Sequence, residues 1–103
     1  MSFGQVIAEA RKKQGLSQKD LASRIKKENG TPISSQYLND IERDRRNPPS
    51  EHILSQLAEE LKLSLDYLHI LSGKVPEDIQ VGRYKPEEIE AAIRAFRRTL
   101  NKR

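Results

Sequence analysis

Apolar side chains recur along this chain in clusters of helical period, separated by serines, glycines and prolines that mark where each helix starts and stops. Phe3, Val6, Ile7 and Ala10 fall on one face, which predicts a helix capped by Ser2, running to about Gln14 and ended by Gly15. Arg11, Lys12 and Lys13 occupy its last turn, where cations suit the helix dipole. Leu16 follows as an apolar plug. Ser17 is placed to cap a second helix, with Asp20 at the third position able to return a bond. Leu21, Ala22 and Ile25 mark its inner face, and the polar run Lys26-Lys27-Glu28 is expected to carry it to a stop at Asn29-Gly30-Thr31-Pro32.

Ile33-Ser34-Ser35-Gln36 reads as an apolar staple, a cap and the first turn of a third helix, with Leu38 and Ile41 facing inward. Pro48 and Pro49 remove donors and bias the residue before them away from helical geometry, so Arg43 to Pro49 is a loop. Ser50 is the expected cap of a fourth helix bearing Ile53, Leu54, Leu57, Ala58 and Leu61. Ser64 is the expected cap of a fifth with Leu65, Leu68, Ile70 and Leu71, ending near Gly73. From Lys74 to Lys85 the pattern weakens, and Val75 to Ile79 reads equally as a helical turn or a linker. Pro86 then opens a last helix in which Ile89, Ile93, Phe96 and Leu100 form a narrow seam at steps of four, three and four. The reading is an all-α chain in two parts: a five-helix domain at 1–73, and a linker with an amphipathic helix at 74–103.

Composition narrows the function. A chain of 103 residues suits one small domain with an appendage. The absence of cysteine removes disulfides, thiolate metal sites and thiol nucleophiles, and it suits a reducing cytoplasm. No apolar run is long enough to cross a membrane and the start carries no secretion signal, so a soluble cytoplasmic protein is expected. The net charge of +4 is mild, but it is sorted: residues 11–46 hold ten Lys/Arg against five Asp/Glu. Residues 47–73 hold only Lys62 against Glu51, Glu59, Glu60 and Asp66. A basic first half facing a polyanion fits that distribution, and so does an ordinary solvated helical surface. Neither a nucleophile–base set nor a phosphate-cradling glycine loop is present, so no enzyme and no cofactor is expected. His52 and His69 have no partner at metal spacing. Both read as helix-surface or boundary residues, and no metal is expected.

Gly15-Leu16-Ser17-Gln18-Lys19-Asp20-Leu21-Ala22, followed by Ser34-Ser35-Gln36-Tyr37-Leu38-Asn39-Asp40-Ile41-Glu42-Arg43, closely resembles the Cro/repressor-like helix-turn-helix family, also called the XRE family. The likeness continues through Arg45-Arg46-Asn47-Pro48-Pro49 to Ser64-Leu65-Asp66-Tyr67-Leu68 and covers roughly residues 3–72. It implies a five-helix, lambda-repressor-like fold whose second helix braces on the DNA backbone and whose third enters the major groove. By position it implies that Gln18 meets a phosphate, that Ser35, Gln36, Asn39 and Asp40 face the groove, and that Arg11 and Glu42 form a structural ion pair. A bacterial or phage-encoded repressor is the implied role. One departure stands out: Ser23 to Ile33 adds about half a dozen residues to the family's tight turn, which leaves the angle of the third helix open.

The residue chemistry agrees with that reading. Gln36 and Asn39 each carry donors and an acceptor, lie three apart on one face, and avoid the face of Leu38 and Ile41. Either amide can pair with the N6 and N7 edge of adenine. Phosphate contacts are expected from Gln18, Lys19, Ser34, Arg43, Arg45 and Arg46, with Lys27 a further candidate. Tyr37 belongs to the interface or to the packing beneath it. Asp40, Glu42 and Asp44 are expected to draw some arginines into intramolecular pairs. The seam Ile89, Ile93, Phe96 and Leu100 fits either a homodimer contact or packing on the chain's own domain. Arg94, Arg97, Arg98, Lys102 and Arg103 offer a further nucleic-acid contact. Against the double-stranded DNA reading stands a protein-interaction module that binds a toxin, polymerase or antirepressor.

Overall fold

Six helices follow one another in the computed structural model, which describes residues 1–102: α1 (Phe3–Lys13), α2 (Gln18–Arg24), α3 (Ser35–Glu42), α4 (Glu51–Leu61), α5 (Leu65–Leu71) and α6 (Pro86–Leu100). Arg103, assigned above to the tail's basic cluster, lies outside the described residues. Among those residues the secondary structure is helical except for one isolated antiparallel bridge between Lys26 and Pro32. A short 3-10 turn at Val81–Arg83 interrupts the stretch between α5 and α6.

Serines set most helix starts, as their positions predict. The Ser2 hydroxyl accepts from the Gln5 amide at 3.2 Å, and the Gln5 side chain accepts from the Ser2 amide at 2.9 Å. Ser17 and Asp20 form the same reciprocal box at 3.0 and 3.1 Å. Ser34 caps α3 through the Tyr37 amide at 3.0 Å, and Ser64 caps α5 through the Tyr67 amide at 3.2 Å. Each bond satisfies an amide that the helix itself leaves without a partner, and each contributes about 1 kcal/mol. Gly15 ends α1 in the left-handed region, at φ 69°. Beneath these helices lies one core in which Ile7, Leu21, Ile25, Leu38, Leu54, Leu57 and Leu68 are fully enclosed. Burial of each such side chain contributes roughly 1.5–3 kcal/mol.

Four expectations are corrected. Lys26, Lys27 and Glu28 do not extend α2. The helix ends at Arg24, Ile25 is extended, and the chain turns back on itself so that the Ile33 amide meets the Ile25 carbonyl at 2.9 Å. The extra residues form a small hairpin, since burying both Ile25 and Ile33 draws its two ends together. The Ser50 hydroxyl makes no cap bond to α4 and donates instead to Glu28 at 3.4 Å. Ile70 points away from the core, 48% exposed, because Leu68 already fills the inward position of this two-turn helix. His69, expected at a helix surface or boundary, is only 3% exposed, and its Nε2 lies 2.6 Å from the Glu51 carboxylate at the start of α4.

The tail contrasts with the domain. No residue of α6 is buried, and Ile93, Phe96 and Leu100 are 44%, 47% and 54% exposed. Ile89, the first residue of the seam, is half-buried.

Candidate nucleic-acid interface

Two close approaches fix the end of α3 against α1. Gly4 of α1 lies against the last turn of α3: a Cβ added there would sit 2.5 Å from the carbonyl oxygens of both Ile41 and Glu42. Only glycine permits that distance. Asp44, just past α3 with φ 56°, then accepts from the Gly4 amide at 2.9 Å and from the Ser2 hydroxyl. Neither role was read from the sequence. A glycine inside an otherwise regular apolar repeat was the available signal, whereas nothing local reveals that Asp44 reaches forty residues back.

Arg11 and Glu42 complete the joint. The Arg11 Nε donates to Glu42 Oε2 at 2.7 Å and its Nη2 to Oε1 at 2.9 Å, a two-pronged pair with both side chains largely out of water. A third donor, Nη1, reaches the Leu16 carbonyl at 2.8 Å, so the guanidinium also closes the turn between α1 and α2. The Glu42 hydrogen bonds raise the Arg11 pKa above its ordinary value, against the opposing effect of burial. Its charge is permanent at any physiological pH.

On this support the sequence-predicted residues divide into two bonded groups. Gln18, at the first position of α2, donates through Nε2 to Asn39 Oδ1 at 3.1 Å and to Glu42 Oε1 at 2.9 Å. The start of α2 is thus locked to the middle of α3 despite the hairpin between them, which settles the orientation that the insertion had left open. With its oxygen engaged, the Asn39 amide keeps both N–H donors unused among the described residues. Gln36, one turn earlier, donates to Asp40 Oδ1 at 3.1 Å, and Asp40 also lies 3.8 Å from the Arg46 guanidinium. Arg46 in turn stacks over the Tyr37 ring at 5.2 Å, a cation–π contact that holds a flexible side chain in place.

Ser35 and Gln36 are exposed at the opening of α3, while Asn39 and Asp40 are half-buried beside them. Tyr37 is half-buried and packs against the core, so it belongs at least to the support. Ser34 spends its acceptor on the cap. Lys19, Arg43 and Arg45 are exposed and pair with no carboxylate among the described residues. Of the three acidic residues expected to draw in arginines, Asp40 takes Arg46 and Glu42 takes Arg11, but Asp44 serves α1 instead. The surface around α3 therefore combines oriented amides in its middle with free cations at its margin.

Comparison with known proteins agrees with this geometry. A helix-turn-helix family model, HTH_3, matches residues 7–68. The crystal structure of SinR, described as a master regulator for biofilm formation, in complex with DNA is similar at 30% identity and a TM-score of 0.52. That match covers 64% of this chain and 95% of that one. The N-terminal DNA-binding domain of SinR from Bacillus subtilis gives the same identity and TM-score over 64% of this chain and 87% of that one. A complex of SinR with the SinI protein matches at 24% identity and a TM-score of 0.53, over 97% of this chain and 84% of that one. No curated protein sequence matches significantly.

Proposed function

The chain belongs to the XRE-type helix-turn-helix family of DNA-binding transcriptional regulators, and from that premise we propose that it is a dimeric cytoplasmic repressor reading a palindromic operator. The observation that carries the reading is the placement of Gln36 and Asn39. Both lie on the face of α3 opposite the buried Leu38 and Ile41, each tethered by a hydrogen bond to a fixed neighbour. Side chains held in this way lose little rotamer freedom on binding, which favours discrimination between base edges. Ser35, Gln36 and Asn39 meet bases; Gln18, through its main-chain amide at the first position of α2, and Lys19, Ser34, Arg43, Arg45 and Arg46 meet phosphates and set the register. The protein acts by occupying DNA, with no catalytic step.

One domain of this size spans few base pairs, and a pair reads two half-sites about 34 Å apart. The seam Ile89, Ile93, Phe96 and Leu100, of which the last three are exposed, supplies the contact between copies. A second reading gives that seam to another protein, by analogy with the SinR–SinI complex, whose fold this chain resembles. Salt separates the two: DNA binding weakens steeply as salt rises, whereas an apolar protein interface is far less sensitive.

Selection of DNA from a random pool, with Gln36→Ala beside the parent chain at fixed salt, tests the proposal. A palindromic motif that relaxes at one position per half-site in the variant, by about 1–3 kcal/mol, is expected. Recovery of no motif would sink it.

A further inference from the structure

The hairpin at residues 26–32 has no place in the tight turn that usually joins such helices, yet it is firmly built. Gln56 of α4 brackets Lys26, accepting from its amide at 2.7 Å and donating to its carbonyl at 2.7 Å. The Lys27 amide meets the Thr31 carbonyl at 2.7 Å. At the tip Asn29 Oδ1 accepts from the Thr31 amide and hydroxyl at 3.0 and 2.7 Å, and Gly30 takes φ 87°. A loop with this many internal bonds is pre-ordered, so it can touch a ligand without the entropy loss of immobilisation.

Its position is set by α2. Seven residues of helix span about 10 Å, close to the roughly 12 Å width of the major groove. Gln18 stands at one end of that span and the hairpin follows the other. Beside the hairpin lies a groove of about 440 Å³ lined by Lys27, Glu28, Ser34, Tyr37 and Arg46 over an apolar floor at Ile33. Lys27 is exposed and pairs with no carboxylate among the described residues. Arg46 is stacked on Tyr37 with its side chain 56% exposed, leaving donors free beyond its 3.8 Å approach to Asp40. The Ser34 hydroxyl accepts from Tyr37 and keeps its own proton to donate. Glu28, the carboxylate in this lining, is drawn toward α4 by the Ser50 hydroxyl. Two cations and a hydroxyl facing one small groove form a receptor for a single phosphodiester.

We propose that the 26–32 hairpin is a second phosphate clamp: Lys27 and Arg46 together hold a backbone phosphate on the DNA strand across the major groove from the one Gln18 meets. The clamp rests on the DNA-reading role above and adds to it a wall that α2 alone does not reach. It fixes how deeply α3 sits, and it acts alike on every base sequence.

The test measures binding of the full chain to its selected duplex as a function of salt, for the parent, Lys27→Gln and Arg46→Gln, with ethylation interference at each phosphate. Each variant is expected to reduce the slope of log affinity against log salt by about 0.9, one released counterion, with the selected motif unchanged. Interference is expected to vanish at a shared phosphate, on the strand opposite the one whose signal is removed by Gln18→Pro, which deletes the main-chain amide at a helix position that tolerates proline. An unchanged slope and interference pattern in Lys27→Gln overturns the clamp while leaving the operator reading intact, and so does loss on the Gln18 strand. A parent that binds DNA without preferring a site sinks the operator reading alone, because the same slopes on any duplex still decide the clamp. A parent with no affinity for DNA overturns both.

Discussion

Helices α3 and α6 are written in the same pattern and meet opposite fates. Each sets apolar residues at helical spacing against a strongly polar remainder, but Leu38 and Ile41 of α3 are enclosed by the domain, whereas Ile93, Phe96 and Leu100 of α6 face water. The electrostatics differ in the same sense. The charge at the end of α3 is held by the two-pronged Arg11–Glu42 pair, while α6 offers an Arg94–Glu90 approach of 3.9 Å with both side chains exposed. Periodicity thus states that a face will be covered and leaves open what covers it. In α3 the cover is the rest of the chain, which holds a short helix rigidly in place. In α6 the cover is a proposed second molecule, so the tail's stability depends on concentration.

The largest effect that separates the two faces is a cavity. Leu38→Ala removes a fully enclosed side chain and is expected to cost about 2–5 kcal/mol in urea or thermal unfolding. Phe96→Asp, on a face the domain does not use, is expected to leave the domain's own unfolding within about 0.5 kcal/mol. Sedimentation should instead show the variant as monomers at concentrations where the parent is paired, with weaker operator binding. A Phe96→Asp chain that stays dimeric, or one whose domain melts early, would erase the distinction between the two helices.

The charged pairs sharpen the comparison at a lower magnitude. Arg11→Ala leaves Glu42 largely buried with Gln18 as its remaining donor, so a loss of about 3 kcal/mol is expected. The melting temperature should fall while the selected motif stays the same. Loss of binding with unchanged melting would make Arg11 a DNA contact and not a brace. Arg94→Ala, in an exposed pair one turn apart, should change unfolding by no more than about 0.5 kcal/mol.

The helix starts and nearly all of the core could be read from the chain because their causes are local: a serine before an apolar repeat, a glycine after it. The bonds that define the site are mostly not local. The spacing of Gln36 and Asn39 gives their face, but not that Gln18 would grip Asn39 or that Asp40 would gather Gln36 and Arg46. Lys26-Lys27-Glu28 illustrates the limit. Three good helix formers follow α2, and propensity favours continuing it, but burying Ile25 and Ile33 together, with Gln56 satisfying the backbone of Lys26, outweighs that preference. His69 was misjudged for a related reason, since its partner Glu51 stands on another helix.

The smallest effect tests whether local capping matters to the start of α2 at all. The Asp20 carboxylate, bonded to the Ser17 backbone amide and close to its hydroxyl, has its pKa lowered below the ordinary value, first by the backbone bond and then by the hydroxyl. Because the folded-state value lies below the unfolded one, this contribution is present above the unfolded value and is lost as pH falls through the folded one. Asp20→Asn keeps the size and an acceptor but cannot ionise. The parent should therefore lose more stability than the variant as pH falls from neutrality through the carboxylate range, and the two unfolding midpoints should converge once Asp20 is protonated in both states. Since Asp20 is fully exposed, the shift will be modest, and salt will shrink the part owed to Arg24 and Lys19 but not the part owed to Ser17. Parallel acid profiles for the two chains would show that the start of α2 is held by Gln18 and its bonds to α3, with the capping box contributing nothing measurable.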